Sequence, residues 1–306
     1  MKKLFLFFSL LLGVLSAWAY DVEADGIFYD LDKENKTASV TYSSDCFYDG
    51  AVVIPETISV DGTAYSVTSL GAYCFNDCRG LTSITIPNSV TSLGEWCFSW
   101  CSSLTSITIP NSVTSLGEHC FNDCSGLESI VVESGNTVYD SRENCNAIIE
   151  TATNTMLSGC KNTTIPHSVT SLVEYCFDGC SGLTSITLPN SVTSLRYECF
   201  GGCSGLTEVH VNRETPPATG GEIFGGCGSL ETIYVPTGAS ANYGIVPWNA
   251  YKIVEEDVQS GITAVSVEGE TAVPVYYLNG SRAGTMKNFS AQPKGIYIVK
   301  GKKVLR

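Results

Sequence analysis

The sequence predicts a β-rich repeat solenoid of about eight coils followed by a small β module. Two observations predict the solenoid and one predicts the module. Leu81-Thr-Ser-Ile84-Thr-Ile86-Pro87 returns at Leu104 to Pro110, and Leu127 follows after the same offset of 23 residues. Val67, Val90 and Val113 keep that offset, as do Val169 and Val192. The charge also changes sign along the chain. No acidic residue follows Glu270, whereas Arg282, Lys287, Lys294, Lys300, Lys302, Lys303 and Arg306 are all basic, which marks off a C-terminal module.

Each part of the unit LTSITIPNSVTSLGEWCFSWCSS has its own physical role. The LxxIxI segment alternates β-branched residues and reads as a strand with one buried face. Proline ends it, because proline donates nothing to a ladder. VTSL reads as a second, shorter extended stretch. EWCFSWC places Cys, Phe and Cys at positions suited to one tight helical or 3₁₀ turn facing inward. Ser-Gly or Ser-Ser then turns the chain back. One unit cannot cover its own Leu, Ile and Phe, so coils stack, about 4.8 Å apart, into a body about 40 Å long. Weaker copies extend the array at Val52 to Pro55, Thr164 to Pro166, Leu206 to Val211 and Leu230 to Pro236. Residues 133–161 break the period and read as a longer coil with a protruding hairpin, in which Ile148 and Ile149 pack inward.

At the other end, Lys2 and Lys3 precede an apolar run from Leu4 to Leu15, and Ala17-Trp18-Ala19 supplies a small-x-small cleavage site. This is the pattern of a secretory signal peptide over residues 1–19. No later stretch has the length of apolar sequence, about 18 residues, that spans a bilayer. The net charge is −14, and −16 without Lys2 and Lys3. An acidic body is a poor partner for nucleic acid, which needs clustered cations.

The repeat resembles the BspA-like leucine-rich-repeat proteins, surface and secreted proteins best known from Bacteroidetes. IPNSVTSLGEHCFNDCSGL carries the likeness. So do the lead-in GIFYDLDKENKTASVTYSS, the interrupting YDSRENCNAIIETATNTMLSGCKNTTIP and the cap IYVPTGASANYGIVPWNAYKIVEE. It covers roughly residues 21–256 and implies a right-handed leucine-rich-repeat solenoid with roles in adhesion or protein binding. One departure is the cysteine before each repeat Phe, where this family would carry Ala. The tail, with YYLNG and GIYIVKGKKV, resembles the sorting domains of type IX secretion but is shorter than a full one. The organisation that follows is a leader (1–19), an N-terminal cap (20–66), a solenoid (67–235, irregular at 133–161), a C-terminal cap (236–256) and the module (257–306).

Ten cysteines form five pairs four residues apart: Cys74/Cys78, Cys97/Cys101, Cys120/Cys124, Cys176/Cys180 and Cys199/Cys203. Stacked coils turn them into two columns, and three readings fit. They are a buried structural ladder of small apolar groups, disulfides between coils, or metal ligands. A regular column does not converge on one point, which argues against metal. Ile223 stands in the first cysteine slot of the last copy, so bulk rather than thiol chemistry is what that slot needs. No cofactor is expected.

Nothing points to catalysis. There is no G-x-S-x-G, H-E-x-x-H or glycine-rich phosphate loop. His119, His167 and His210 occupy slots that other repeats fill with an aromatic residue, Asn or Thr. Glu95, Glu118 and Glu174 share one slot, and active sites are singular where ladders repeat. Asp30, Asp32 and Glu34 read as a turn.

Two surfaces are candidates for a partner. The strand face presents the column Val53, Thr85, Thr108, Val131, Thr164, Thr187, His210 and Tyr234, which equally serves sheet stability. The convex side presents Tyr73, Trp96, His119 and Tyr175, with Tyr197 one residue out of step, and Trp100 in a slot otherwise held by Asp or Gly. Exposed aromatics favour protein interfaces and also stack on sugars. The sequence therefore predicts an exported protein, extracellular or at the cell surface, that binds host or bacterial surface proteins, with envelope glycans as the alternative.

Overall fold

The computed structural model describes residues 20–42 and 48–257, together with the backbone of four strands further on. The predicted leader, Cys46, and the side chains of the tail lie outside the described residues.

The chain is a β-solenoid of about eight turns spaced by about 23 residues. It begins with three antiparallel strands, Val22–Ala24, Ile27–Asp32 and Thr37–Thr41. Asp32 shapes the turn between the last two, its Oδ1 accepting the Glu34 and Asn35 N–H groups. Thr37–Thr41 then pairs in parallel with Thr63–Leu70, and the sheet continues through the short VTSL strands Ser92–Leu93 and Ser115–Leu116.

The LxxIxI strands form the other wall. Gly50–Val53 pairs with Leu81–Thr85, and Ser106–Ile109 with Ser129–Val132. Ser185–Leu188, Glu208–Val211, Thr232–Pro236 and Lys252–Glu256 make a four-stranded block. All these pairs are parallel, as stacked coils require. The four tail strands form an antiparallel sheet in the order Arg282–Thr285, Pro274–Tyr277, Ile296–Val299, Lys302–Leu305.

The cysteine-bearing segment is not a helical turn. Residues before the first cysteine are left-handed: Tyr73 (φ 60°), Trp96 (φ 54°), His119 (φ 57°), Tyr175 (φ 57°) and Glu198 (φ 44°). So are those before the second: Asp77, Trp100, Asp123, Gly179, Gly202 and Gly226. The reason is the hydrogen bonding. Alternate N–H groups close i→i+3 turns, as Asn76 does to Tyr73 C=O and Cys78 to Phe75 C=O. The others point along the solenoid: Tyr73, Phe75 and Asp77 donate to Glu95, Cys97 and Ser99 C=O at 2.8–2.9 Å. A helix keeps every N–H within its own turn, whereas this backbone spends half of them binding the next coil.

A stack of phenylalanines fills the interior. Phe75–Phe98 (5.3 Å), Phe98–Phe121 (5.5 Å), Phe177–Phe200 (5.1 Å) and Phe200–Phe224 (5.6 Å) are near-parallel neighbours. Tyr48 continues the stack at the N-terminal end, and Trp248 closes it edge-on at the other. Burial of these rings and of the Leu, Ile and Val around them is the main stabilising term.

The hairpin in residues 133–161 does not protrude. Ala147–Glu150 and Thr155–Gly159 enter the wall itself, and Thr155–Gly159 pairs in parallel with the next VTSL strand, Ser171–Leu172. Burial drives this. Ile148 and Ile149 are both fully buried, and as neighbours on a strand they face opposite sides. Ile148 joins the core of the coils before the hairpin and Ile149 the core of those after it. The insertion also removes a predicted strand. Residues 162–166 are not extended in a ladder, because the Thr164 N–H bonds Cys145 C=O and the Thr163 hydroxyl donates to Asn146 C=O.

Candidate functional site

The strand-face column forms in register within three separate blocks. Val53 pairs with Thr85, Thr108 with Val131, Thr187 with His210, and His210 with Tyr234. Thr85, Thr108 and Thr187 are exposed. Thr164 is exposed but belongs to no strand, so the column is interrupted there. At its far end His210 stacks on Tyr234 at 4.6 Å, and its Nδ1 meets Glu256 Oε1 at 2.7 Å.

On the turn side the aromatics make one continuous file. Tyr73 lies 6.4 Å from Trp96 and parallel to it. Trp96 meets His119 at 4.5 Å, His119 meets Tyr175 at 4.9 Å, and Tyr175 meets Tyr197 at 5.6 Å. Tyr197 thus joins the file despite its offset in sequence. Tyr73, Trp96, His119 and Tyr175 share the left-handed slot described above, where Tyr73 is exposed and the other three are half-buried; in the next copy Glu198 rather than Tyr197 holds that slot. Trp100 stands beside the file, 45% exposed, with the Arg79 guanidinium over its ring at 5.5 Å. A tryptophan at φ 64° is costly, on the order of 1–3 kcal/mol, where the equivalent Gly179, Gly202 and Gly226 carry no such penalty.

All thirteen described cysteines are buried, and no disulfide joins any two of them. The two columns differ. In the first slot Cys74 Sγ lies 3.4 Å from Cys97 Sγ. In the second slot four thiols donate to the carbonyl of the preceding coil's phenylalanine: Cys101 to Phe75 (3.2 Å), Cys124 to Phe98 (3.0 Å), Cys203 to Phe177 (3.1 Å) and Cys227 to Phe200 (3.0 Å), while Cys180 turns to Gly159 C=O. This explains why Ile replaces the first cysteine in the last copy but not the second. Burial pushes the Cys97, Cys120, Cys124, Cys176 and Cys199 thiols well up, away from the nucleophilic thiolate. Among the described residues no group of three metal-ligating side chains comes together.

One surface cleft has no signal in the sequence. Where the hairpin enters the wall it opens a cleft of 480 Å³ between the coil of His119 and that of Tyr175. Glu118, Glu150, Glu174 and Arg196 border it, together with Leu157 and Val173. The broken period at residue 133 lay beside it in sequence, but only the fold brings the hairpin to His119.

The acidic side chain most affected by its surroundings is Asp178. Burial, with Asp123 and Glu198 nearby, raises its carboxyl to about 7. No helix among the described residues is long and apolar enough to cross a membrane.

The chain is similar to several solved leucine-rich-repeat proteins. A leucine-rich-repeat protein from Eubacterium ventriosum is 19% identical, with a TM-score of 0.41 over 70% of this chain and 71% of that one. One from Bacteroides ovatus is 23% identical, with a TM-score of 0.31 over 71% of each chain. A leucine-rich cell surface protein from Faecalibacterium prausnitzii is 17% identical, with a TM-score of 0.32 over 78% of this chain and 95% of that one. No curated protein matches. The family model described as BspA type leucine rich repeat region matches residues 43–156 and 149–244 in six copies. With more than half of its length matched, the chain belongs to the BspA-type leucine-rich-repeat family.

Proposed function

We propose that this chain is an exported repeat protein that works at the cell surface, or released from it, and holds a host or bacterial protein without catalysing any reaction. The aromatic file Tyr73–Trp96–His119–Tyr175, with Trp100 beside it, carries the reading. Exposed Trp and Tyr supply large contact area with little loss of side-chain freedom, and they dominate binding energy where interfaces have been dissected. Trp100 strengthens the point, because the fold holds an exposed indole in a backbone conformation that glycine would adopt without strain. Tyr73, 46% exposed at φ 60°, is a second exposed aromatic held in the same conformation. The signal-peptide pattern at residues 1–19 supports export, and the sorting-like tail supports surface delivery.

Binding of the purified chain to a panel of matrix and bacterial surface proteins tests this, with a glycan array as the control arm. Trp100→Ala with Tyr73→Ala is expected to reduce protein binding at least tenfold. Thr85→Arg with Thr108→Arg is expected to leave it within twofold. The opposite pattern would move the site to the strand face. The Arg79 guanidinium over Trp100 occupies a ring face that a sugar would need, which favours a protein partner over a glycan.

A further inference from the structure

The hairpin leaves the backbone ladder between two coils unfinished. In the coil before it, Trp96, Phe98 and Trp100 donate to Glu118, Cys120 and Asn122 C=O at 2.9–3.0 Å. In the next coil only Asp123 makes the equivalent bond, to Asp178 C=O at 3.1 Å. Cys176 C=O, the acceptor in register with Phe121, instead takes the Gly159 N–H at 2.8 Å. Among the described residues, the N–H groups of His119 and Phe121 have no acceptor. Both residues line the cleft. The imidazole Nδ1 of His119 is buried and without a partner among the described residues.

Backbone donors without a protein acceptor are rare in folded chains. Two such N–H groups two residues apart have the spacing at which an extended chain accepts along one edge. Three carboxylates, Glu118, Glu150 and Glu174, border the cleft against one cation, Arg196. Its 480 Å³ falls within the range of about 300–1,000 Å³ typical of ligand pockets.

From this combination we infer that the cleft binds a short extended segment of a partner polypeptide carrying a lysine or arginine. The segment's carbonyls accept from His119 and Phe121, and its cationic side chain lies among Glu118, Glu150 and Glu174. A small free cation would satisfy the carboxylates but not the two donors. This inference rests on the protein-binding reading above and names the chemistry of its partner at one point of the aromatic file.

The test uses the full mature chain and a fluorescein-labelled, end-blocked Val-Lys-Val-Lys-Val-Lys hexapeptide, with Val-Glu-Val-Glu-Val-Glu as its counterpart. The lysine peptide is expected to bind at least tenfold more tightly than the glutamate peptide. Glu150→Gln with Glu174→Gln is expected to weaken it at least fivefold. Glu214→Gln with Glu231→Gln removes the same charge away from the cleft and is expected to change it less than twofold. Saturating peptide is expected to slow amide exchange at His119 and Phe121 at least tenfold. Equal losses in both double variants, or unchanged exchange at those two amides, would overturn the proposal. If the peptide fails while protein partners still depend on Trp100 and Tyr73, the cleft is wrong and the surface reading stands. If the peptide binds the cleft as expected but no partner depends on the aromatic file, the cleft stands and the surface reading falls.

Discussion

The Gly159 backbone lies close against the ring of Phe177 while its N–H bonds the carbonyl of Cys176 at 2.8 Å. A β-carbon on residue 159 would overlap three atoms of that ring. The two residues thus form the hinge pin of the joint: glycine lets the hairpin reach the carbonyl, and the ring fills the space a side chain would take.

Gly159→Ala therefore forces the Phe177 ring out of its stack with Phe200. We expect a loss of about 1–3 kcal/mol, the usual cost of overpacking a core. Urea unfolding followed by circular dichroism measures it, and a variant as stable as the parent would refute the contact.

Asp178 gives a pH dependence of definite sign. Its carboxyl is raised to about 7 by burial and by neighbouring Asp123 and Glu198, against an ordinary value of 3.8. The folded chain thus holds this proton more tightly than the unfolded chain does. The associated stability is fully present below about pH 3.8 and is lost as pH rises through 7. Asp178→Asn should remove that slope and leave the variant more stable at pH 8 by about 1–2 kcal/mol, since the carboxyl keeps some solvent. The difference in melting temperature between parent and variant, followed from pH 4 to pH 8, checks it.

The two cysteine columns should respond differently to the same change. Cys199→Val keeps the bulk of a slot that needs only bulk, and its cost should stay below about 1 kcal/mol. Cys203→Val also removes the thiol donated to Phe177 C=O, and should cost about 0.5–1.5 kcal/mol more. Paired denaturant titrations decide it. Equal costs would mean that the second column is also bulk alone.

Trp100→Gly should separate stability from binding. Relief of the left-handed strain outweighs the lost contact with Arg79, for a net gain of about 1 kcal/mol. Partner binding should fall at least tenfold in the same variant. A variant both less stable and fully able to bind would show that the indole serves packing.

How much of this was legible in the sequence follows from which patterns are local. Leu104, Ile107 and Ile109 announce a strand because alternation is a property of neighbours, and the offset of 23 announces the stack. The left-handed turns were hidden because Tyr73, Trp96 and His119 occupy positions whose geometry only glycine would have advertised. Gly179 and Gly202, aligned with Trp100, were the clue. The strand assigned around Thr164 failed because Cys145 and Asn146, far upstream, claimed its hydrogen bonds. The cleft depends on His119 meeting a hairpin that begins some thirty residues later, and no short-range pattern encodes that meeting.

Ile148 and Ile149 give the joint a consequence for how such a chain can change over generations. Each looks into a different core, so the hairpin acts as a party wall between two houses. A duplicated coil on either side needs to match only its immediate neighbours. Either half can therefore lengthen or shorten while the wall, and the cleft beside it, stay where they are.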